Sequence, residues 1–201
     1  MSVDLDVSRE TIERLETYDS LLRKWNPRIN LVAKSTLNDL WNRHFVDSAQ
    51  LYKLVSHPVQ HWADIGSGGG FPGLVIAIMA IEHGSPFRVT LVESDARKCA
   101  FLRTVARETG ARVSVINDRI EDIPRLECDV ITARALADLT TLLGYAERNL
   151  NEFGRALFLK GVTWKKELSD AQQTWKFDLR TVKSKTEDGP VVLSITGVSR
   201  V

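Results

Sequence analysis

Cysteine is scarce: Cys99 and Cys128 are the only two in 201 residues, and their separation matches no metal-ligand pattern. One falls in helical and the other in strand-like surroundings, so free thiols are expected rather than a disulfide, and no metal is predicted. Long apolar runs are also missing. The longest, Leu74 to Ile81, is far shorter than the ~20 residues needed to cross a bilayer. The N-terminus, rich in Asp and Glu, resembles neither a secretory signal nor a transit peptide, which predicts a cytoplasmic protein with no membrane role. At this length the chain can bury one good core and leaves no room for a large separate substrate domain. Net charge is almost absent at +1, but the sum conceals a division. Residues 1–20 carry six acids against two arginines, whereas residues 21–60 carry Arg23, Lys24, Arg28, Lys34, Arg43 and Lys53 against Asp39 and Asp47. A basic patch able to face a polyanion is therefore open to this segment, as is a merely solvated helical face.

What the chain does have is glycine in one place. The run from Trp62 to Gly73 reads WADIGSGGGFPG, and Gly66, Gly68, Gly69 and Gly70 have no use in an ordinary strand or helix interior. His61 to Ile65 reads as a short strand, and the apolar stretch from Leu74 reads as a buried helix, with Pro72 suited to its first turn. Glycines between them allow positive φ and close approach of a ligand to the main chain, while the helix N-terminus offers N–H groups and a positive dipole end. A nucleotide-like cofactor fits such a loop. Gly68, Gly70 and Gly73 satisfy the dinucleotide fingerprint G-x-G-x-x-G, with Glu93 at the expected distance downstream. The other frame, Asp64-x-Gly66-x-Gly68-x-Gly70, resembles motif I of class I S-adenosylmethionine (SAM) methyltransferases. Glu93 serves both, because a carboxylate accepts hydrogen bonds from ribose hydroxyls.

Ser8 can cap a first helix with Ile12, Leu15, Tyr18, Leu22 and Trp25 on one face, ended by Pro27. A second helix is expected from Ser35 or Thr36, with Thr36 and Asp39 as a capping-box variant and a stripe of Leu37, Leu40, Trp41, Phe45 and Leu51. His44 lies beside that stripe, where a packing role competes with a chemical one. Pro58 separates this N-terminal helical cap, residues 1–60, from the remainder, 61–201. From there strands and helices alternate: strand 89–93, helix 96–109 stopped by Gly110, strand 113–116, strand 129–132, helix 136–150 and strand 156–159. Repeated βα units predict a mostly parallel sheet with helices on both faces. Strands 179–183 and 191–195 around Glu187-Asp188-Gly189-Pro190 predict a closing antiparallel hairpin. The order resembles that of an α/β, Rossmann-like class I methyltransferase.

Open parallel sheets bind ligands beyond the carboxyl ends of their strands. Those ends here carry Gly66 to Phe71, Glu93 and Ser94, Asn117 to Asp122, Arg134, and Lys160 with Gly161. Ile120 and Glu121 offer an apolar side chain and a polar edge to an adenine, and Arg134 offers a cation to an anionic cofactor group or an RNA phosphate. Absences narrow the chemistry. Thr132 to Leu136 lacks the Asn/Asp-Pro-Pro-aromatic motif of many exocyclic-amine methyltransferases, and neither cysteine sits at a strand's carboxyl end as a cytosine-attacking nucleophile would. A nicotinamide-dependent oxidoreductase keeps the glycine fingerprint in its favour, but no Tyr-x-x-x-Lys pair is present.

Taken together, Asn30-Leu31, Arg43-His44-x-x-Asp47-Ser48, the glycine run from Asp64 to Gly73, Arg119-Ile120-Glu121, Ala133-Arg134-Ala135 and Leu159-Lys160-Gly161 resemble the RsmG (GidB) family along nearly the whole chain. The resemblance implies a SAM-dependent methyltransferase acting on N7 of a guanine in 16S ribosomal RNA, free or in the small subunit; a monomer is expected. It implies SAM contacts at Gly66, Phe71, Ile120, Glu121 and Arg134, beside Gly68, Gly70 and Glu93 from the loop argument. His44, Arg119 and Lys160 are implied to face the RNA. Asp118 departs from the family pattern, which often has a small or uncharged residue there.

Overall fold

A computed structural model describes residues 5–184, 186 and 189–201. Its centre is a seven-stranded sheet in the order β3-β2-β1-β4-β5-β7-β6. The strands are β1 (His61–Ile65), β2 (Arg88–Val92), β3 (Ser114–Ile116), β4 (Cys128–Arg134), β5 (Leu150–Lys160), β6 (Trp175–Lys183) and β7 (Val191–Arg200). The first five run parallel, and β7 is antiparallel to both β5 and β6. The expected antiparallel closure is thus present, with longer strands than the apolar runs alone indicate. Of its turn, Glu187 and Asp188 lie outside the described residues.

Both faces of the sheet are covered, and the strand period of two sorts the side chains between them. Trp62, Val89, Leu91, Val130, Leu157 and Val192 enter one apolar cluster; Ala63, Ile65, Val92, Ile131, Phe158 and Leu193 enter the other. The first cluster is completed by α1 (Arg9–Ile29), α3 (Gly73–His83) and α4 (Ala96–Thr109), the second by α5 (Leu139–Asn149) and α6 (Trp164–Ala171). Leu15, Tyr18, Leu22, Phe45 and Leu51 of the N-terminal segment are fully buried in the first cluster, so the cap is built onto the sheet's own core.

Three local expectations are corrected. Ser8 caps α1 as read, accepting from the Thr11 N–H (3.2 Å), but the helix passes Pro27 and ends at Ile29. Pro27 stands in the last turn, where buried Asn26 supplies the closing bonds: its carbonyl accepts from Asn30, in the left-handed region at φ 48°, and its side chain from Leu31 (2.7 Å) and Val32 (2.9 Å). The second helix is not one α-helix. It is a 3₁₀ turn (Lys34–Asp39), a π-turn (Trp41–Val46), a short α2 (Asp47–Ala49) and another 3₁₀ turn (Gln50–Leu54). The capping box does not form, because the Thr36 hydroxyl donates to the Ala33 carbonyl (2.7 Å) and Asp39 accepts from Asn42 (2.7 Å). The wide π-turn buries His44 and Phe45 in succession. Finally, Cys128 opens β4 instead of preceding it; both thiols are buried and free.

Candidate functional site

The strand order reverses between β1 and β4, and the segments leaving those two strands form opposite sides of a cleft of about 630 Å³. Gly66, Gly68 and Phe71 line it from the β1 loop, Glu93 from the end of β2, Ile120 and Glu121 from beyond β3, and Arg134 from β4. Arg119 and His44 also line it. Nine of the eleven residues singled out in sequence therefore meet around one opening. Gly70 and Lys160 do not.

Gly70 lies under the loop. A Cβ there would stand 2.5 Å from Leu74 Cδ1 and 2.5 Å from the Tyr18 hydroxyl, so its lack of side chain serves the packing of loop on cap. Gly66, in contrast, is on the cleft wall at φ +64°, a conformation that L side chains adopt at a cost. The loop is held from three sides. Tyr18, fully buried in α1, donates its hydroxyl to the Gly69 carbonyl and stacks on Phe71 at 5.1 Å. Glu93 accepts the N–H groups of Gly68 and Asp95, each at 2.8 Å, with one oxygen apiece. A carboxylate has about four lone-pair sites, so acceptor capacity remains beside the cleft.

From beneath, Asp64 accepts the Thr132 hydroxyl (2.7 Å) and the Gly73 N–H (3.3 Å). It has no solvent exposure, and burial pushes its carboxyl up to about 6 despite those hydrogen bonds. The folded protein thus keeps this proton to higher pH than the unfolded chain, whose carboxyl titrates near 3.8. The associated stability is fully present below that lower value and is lost as pH rises through about 6, a change of about 3 kcal/mol at ~1.36 kcal/mol per pH unit. Asp64→Asn preserves the geometry, since its amide can donate to the Thr132 oxygen and accept from Gly73. Between pH ~4 and ~6.5 the melting temperature of the wild type should fall relative to that of this variant. A constant difference across the range would contradict the assignment.

His44 contributes no charge. Burial first, then Arg134 and Arg43, hold its imidazole down to about 3, so it is neutral at physiological pH. Since the Thr36 hydroxyl already donates to Ala33, its oxygen accepts from His44 Nε2 (3.0 Å), and the ring packs 4.9 Å from that of Phe71. Arg134 reaches from β4 to the cap, donating to the Arg43 carbonyl (2.7 Å). Asp118 accepts the Arg119 N–H (2.8 Å), folding its charge onto its own loop. The cations on the cleft wall are Lys98, Arg119 and Arg134.

Lys160 faces inward. Its side chain is 8% exposed, and Nζ donates to the Ala137 carbonyl (2.9 Å) and pairs with Glu167 (2.5 Å). Glu167 belongs to α6, which the sequence pattern did not signal, and it also accepts the Leu139 N–H at the start of α5 (3.0 Å). The pair therefore braces the Ala135-Leu136-Ala137 wall of the cleft instead of presenting a cation to a partner. Lys160→Met strands a partly buried carboxylate and should lower stability by about 2–3 kcal/mol, or ~4–10 °C in melting temperature. Replacing Glu167 by Met as well should recover part of that loss; a melting temperature unchanged in the single variant would contradict the pairing.

Other wall residues went unsignalled. Leu31, Val32, Ala33 and Thr36 bring the cap to the cleft, and Leu136 and Tyr145 bring the β4 to α5 side. The Leu136 side chain lies over Gly66, within 2.5 Å of where a Cβ would stand.

Comparisons with known proteins identify the family and the fold. The sequence model of GidB, described as rRNA small subunit methyltransferase G, matches residues 11–190. The ribosomal RNA small subunit methyltransferase G of Ruegeria pomeroyi is 54% identical over 197 residues, 98% of this chain and 96% of that protein. The protein of the same name from Paramagnetospirillum magneticum is 52% identical over 194 residues, covering 96% and 92%. Among solved structures, a TehB-like SAM-dependent methyltransferase from Corynebacterium glutamicum superposes with a TM-score of 0.59 at 13% identity, covering 93% of this chain and all of that one. The ribosomal protein L11 methylase of Lactobacillus delbrueckii subsp. bulgaricus gives 0.59 at 19% identity, covering 77% and 76%. The fold is that of the class I SAM-dependent methyltransferases, and the chain belongs to the ribosomal RNA small subunit methyltransferase G family.

Proposed function

We propose that the protein transfers the methyl group of SAM to N7 of a guanine in 16S ribosomal RNA, as a cytoplasmic monomer. What carries the reading is the convergence of Gly66, Phe71, Glu93, Ile120, Glu121 and Arg134 on one cleft, in a chain of this family. Residues 1–60 form the RNA-facing cap and residues 61–201 hold the cofactor. No helix among the described residues is long and apolar enough to cross a membrane, in keeping with this placement.

The residues present fit SAM. Gly66 lets the main chain approach the ligand, Glu93 retains acceptor capacity for ribose hydroxyls, and buried Ile120 gives an adenine an apolar surface. Arg134 offers a cation to the carboxylate of the methionine moiety. Bound there, SAM supplies an electrophilic methyl group on a positively charged sulfur. Guanine N7 has an accessible lone pair, so no side chain need remove a proton. That agrees with a cleft whose histidine, held down to about 3, is a poor proton acceptor and whose strand-four turn, Ala133-Arg134-Ala135, holds no base. The protein's contribution is then to exclude water, hold N7 in line with the methyl, and stabilise the redistributed charge.

Calorimetry tests the cofactor assignment: binding of SAM and none of NAD is expected, and the reverse would favour an oxidoreductase. Arg119→Ala, at the exposed mouth, should weaken RNA binding more than SAM binding. RNA affinity should fall with added salt as phosphate contacts are screened, with SAM affinity responding much less. Equal salt responses would remove the RNA-facing role from this mouth.

A further inference from the structure

The C-terminal half of α5 is a template for the loop beyond β3. Tyr145 and Arg148, separated by three positions, lie on one face of that helix. The Tyr145 hydroxyl donates to Glu121 Oε1. Arg148 donates from Nη1 to the Ile120 carbonyl (2.7 Å) and from Nη2 to the Ile123 carbonyl (2.5 Å), and Asn149 Oδ1 accepts the Leu126 N–H (3.2 Å). One helix face thereby fixes both the backbone path and one carboxylate of the loop.

Tyr145, Ile120 and Glu121 all line the cleft. The tyrosine bond, the largest influence on Glu121, holds its carboxyl below the ordinary value, while burial and then the carboxylate push the Tyr145 hydroxyl up to about 12. At neutral pH the tyrosine is thus the donor, and the carboxylate can only accept. Oε1 accepts from Tyr145 and the carboxylate also accepts from the Glu121 N–H, which leaves lone pairs of this carboxylate as the acceptors that Glu121 brings to the wall it shares with Ile120. An acceptor at the edge of an apolar surface suits a flat heterocycle carrying an amino group. On adenine the ring's only hydrogen-bond donor of that kind is the 6-amino group.

We propose that Tyr145 is a positioning residue that fixes Glu121 to accept a hydrogen bond from the adenine 6-amino group, so that the pair distinguishes adenosyl from 6-oxo nucleosyl cofactors. The proposal rests on the reading of this cleft as the SAM site. It assigns to Tyr145 a part in cofactor specificity that a purely structural hydroxyl would not have.

Calorimetry with S-adenosylhomocysteine and S-inosylhomocysteine tests it on the intact protein. The inosyl form presents an oxygen where the adenosyl form presents an amine, and should bind the wild type on the order of 10- to 100-fold more weakly, as expected for a charged hydrogen bond lost to repulsion between acceptors. Tyr145→Phe, which keeps the ring, should reduce that ratio to within about threefold of unity, mainly through weaker adenosyl binding. Glu121→Gln should do the same, because an amide can both donate and accept. If Tyr145→Phe keeps the wild-type ratio, the proposal is overturned while the cofactor reading stands. If the wild type binds neither compound, the cofactor reading fails and takes the proposal with it.

Discussion

Gly66→Val should reduce SAM affinity by at least ~100-fold while leaving a folded protein. The residue leaves β1 at φ +64°, where a β-branched side chain is strained by about 1–2 kcal/mol or more. Its Cβ would also stand 2.5 Å from Leu136 Cδ1. Leu136 is 38% exposed at the cleft wall, so it can swing aside, and the clash is relieved by pushing apolar atoms into the space a ligand needs. Stability should therefore fall only by the backbone strain, about 2–8 °C in melting temperature for a chain of this size. Binding fails for a separate reason, since the main chain at this point can no longer be approached. Gly66→Ala should lie between the two in both measurements. A Gly66→Val protein that binds SAM with wild-type affinity would mean that this loop is not where the cofactor sits.

Tyr18 should prove the most sensitive position outside the cleft itself. It is fully buried, stacks on Phe71 at 17° between planes, meets Phe45 edge-on at 5.1 Å, and donates to the Gly69 carbonyl. Tyr18→Phe keeps the ring and leaves that buried carbonyl without its donor, at about 1–3 kcal/mol. Tyr18→Ala adds a ring-sized cavity and should cost about 3–5 kcal/mol, a large part of the stability of an ordinary domain. The two variants separate packing from loop positioning. Tyr18→Phe should melt ~2–10 °C lower and bind SAM more weakly, because the loop loses its tie to the cap. Unchanged affinity with lowered stability would assign the loop's geometry to Asp64 and Glu93 alone.

The strands and glycine loop were legible because their signals are local and coincide. β1 runs straight into the glycine loop, the unbroken apolar run that follows is α3, and α4 has Gly110, at φ +72°, to stop it, so β1 and α4 have the bounds the sequence implies. The cap was harder, since Asn26 overrides the stop at Pro27 through bonds to Leu31 and Val32 that no local propensity encodes. α6 went unread because its eight residues are mostly polar, with Trp164 and Leu168 only partly buried. Missing α6 hid Glu167, and with it the reason Lys160 points inward. Tyr18 and Tyr145 are a related case. In sequence the first belongs to an apolar stripe and the second to a helix of no special pattern, and each acquires its role from a partner 51 or 24 positions away.

Methyl transfer followed by nucleoside analysis identifies the atom that receives the methyl group. Small ribosomal subunits, and separately their extracted RNA, from cells lacking the modification would be incubated with the protein and SAM labelled with tritium in the methyl group. Label is expected in 7-methylguanosine from at least one of these substrates, and is expected to be absent when the protein is omitted. Label in a methylated cytosine, in an exocyclic amine or only in protein would contradict transfer to guanine N7.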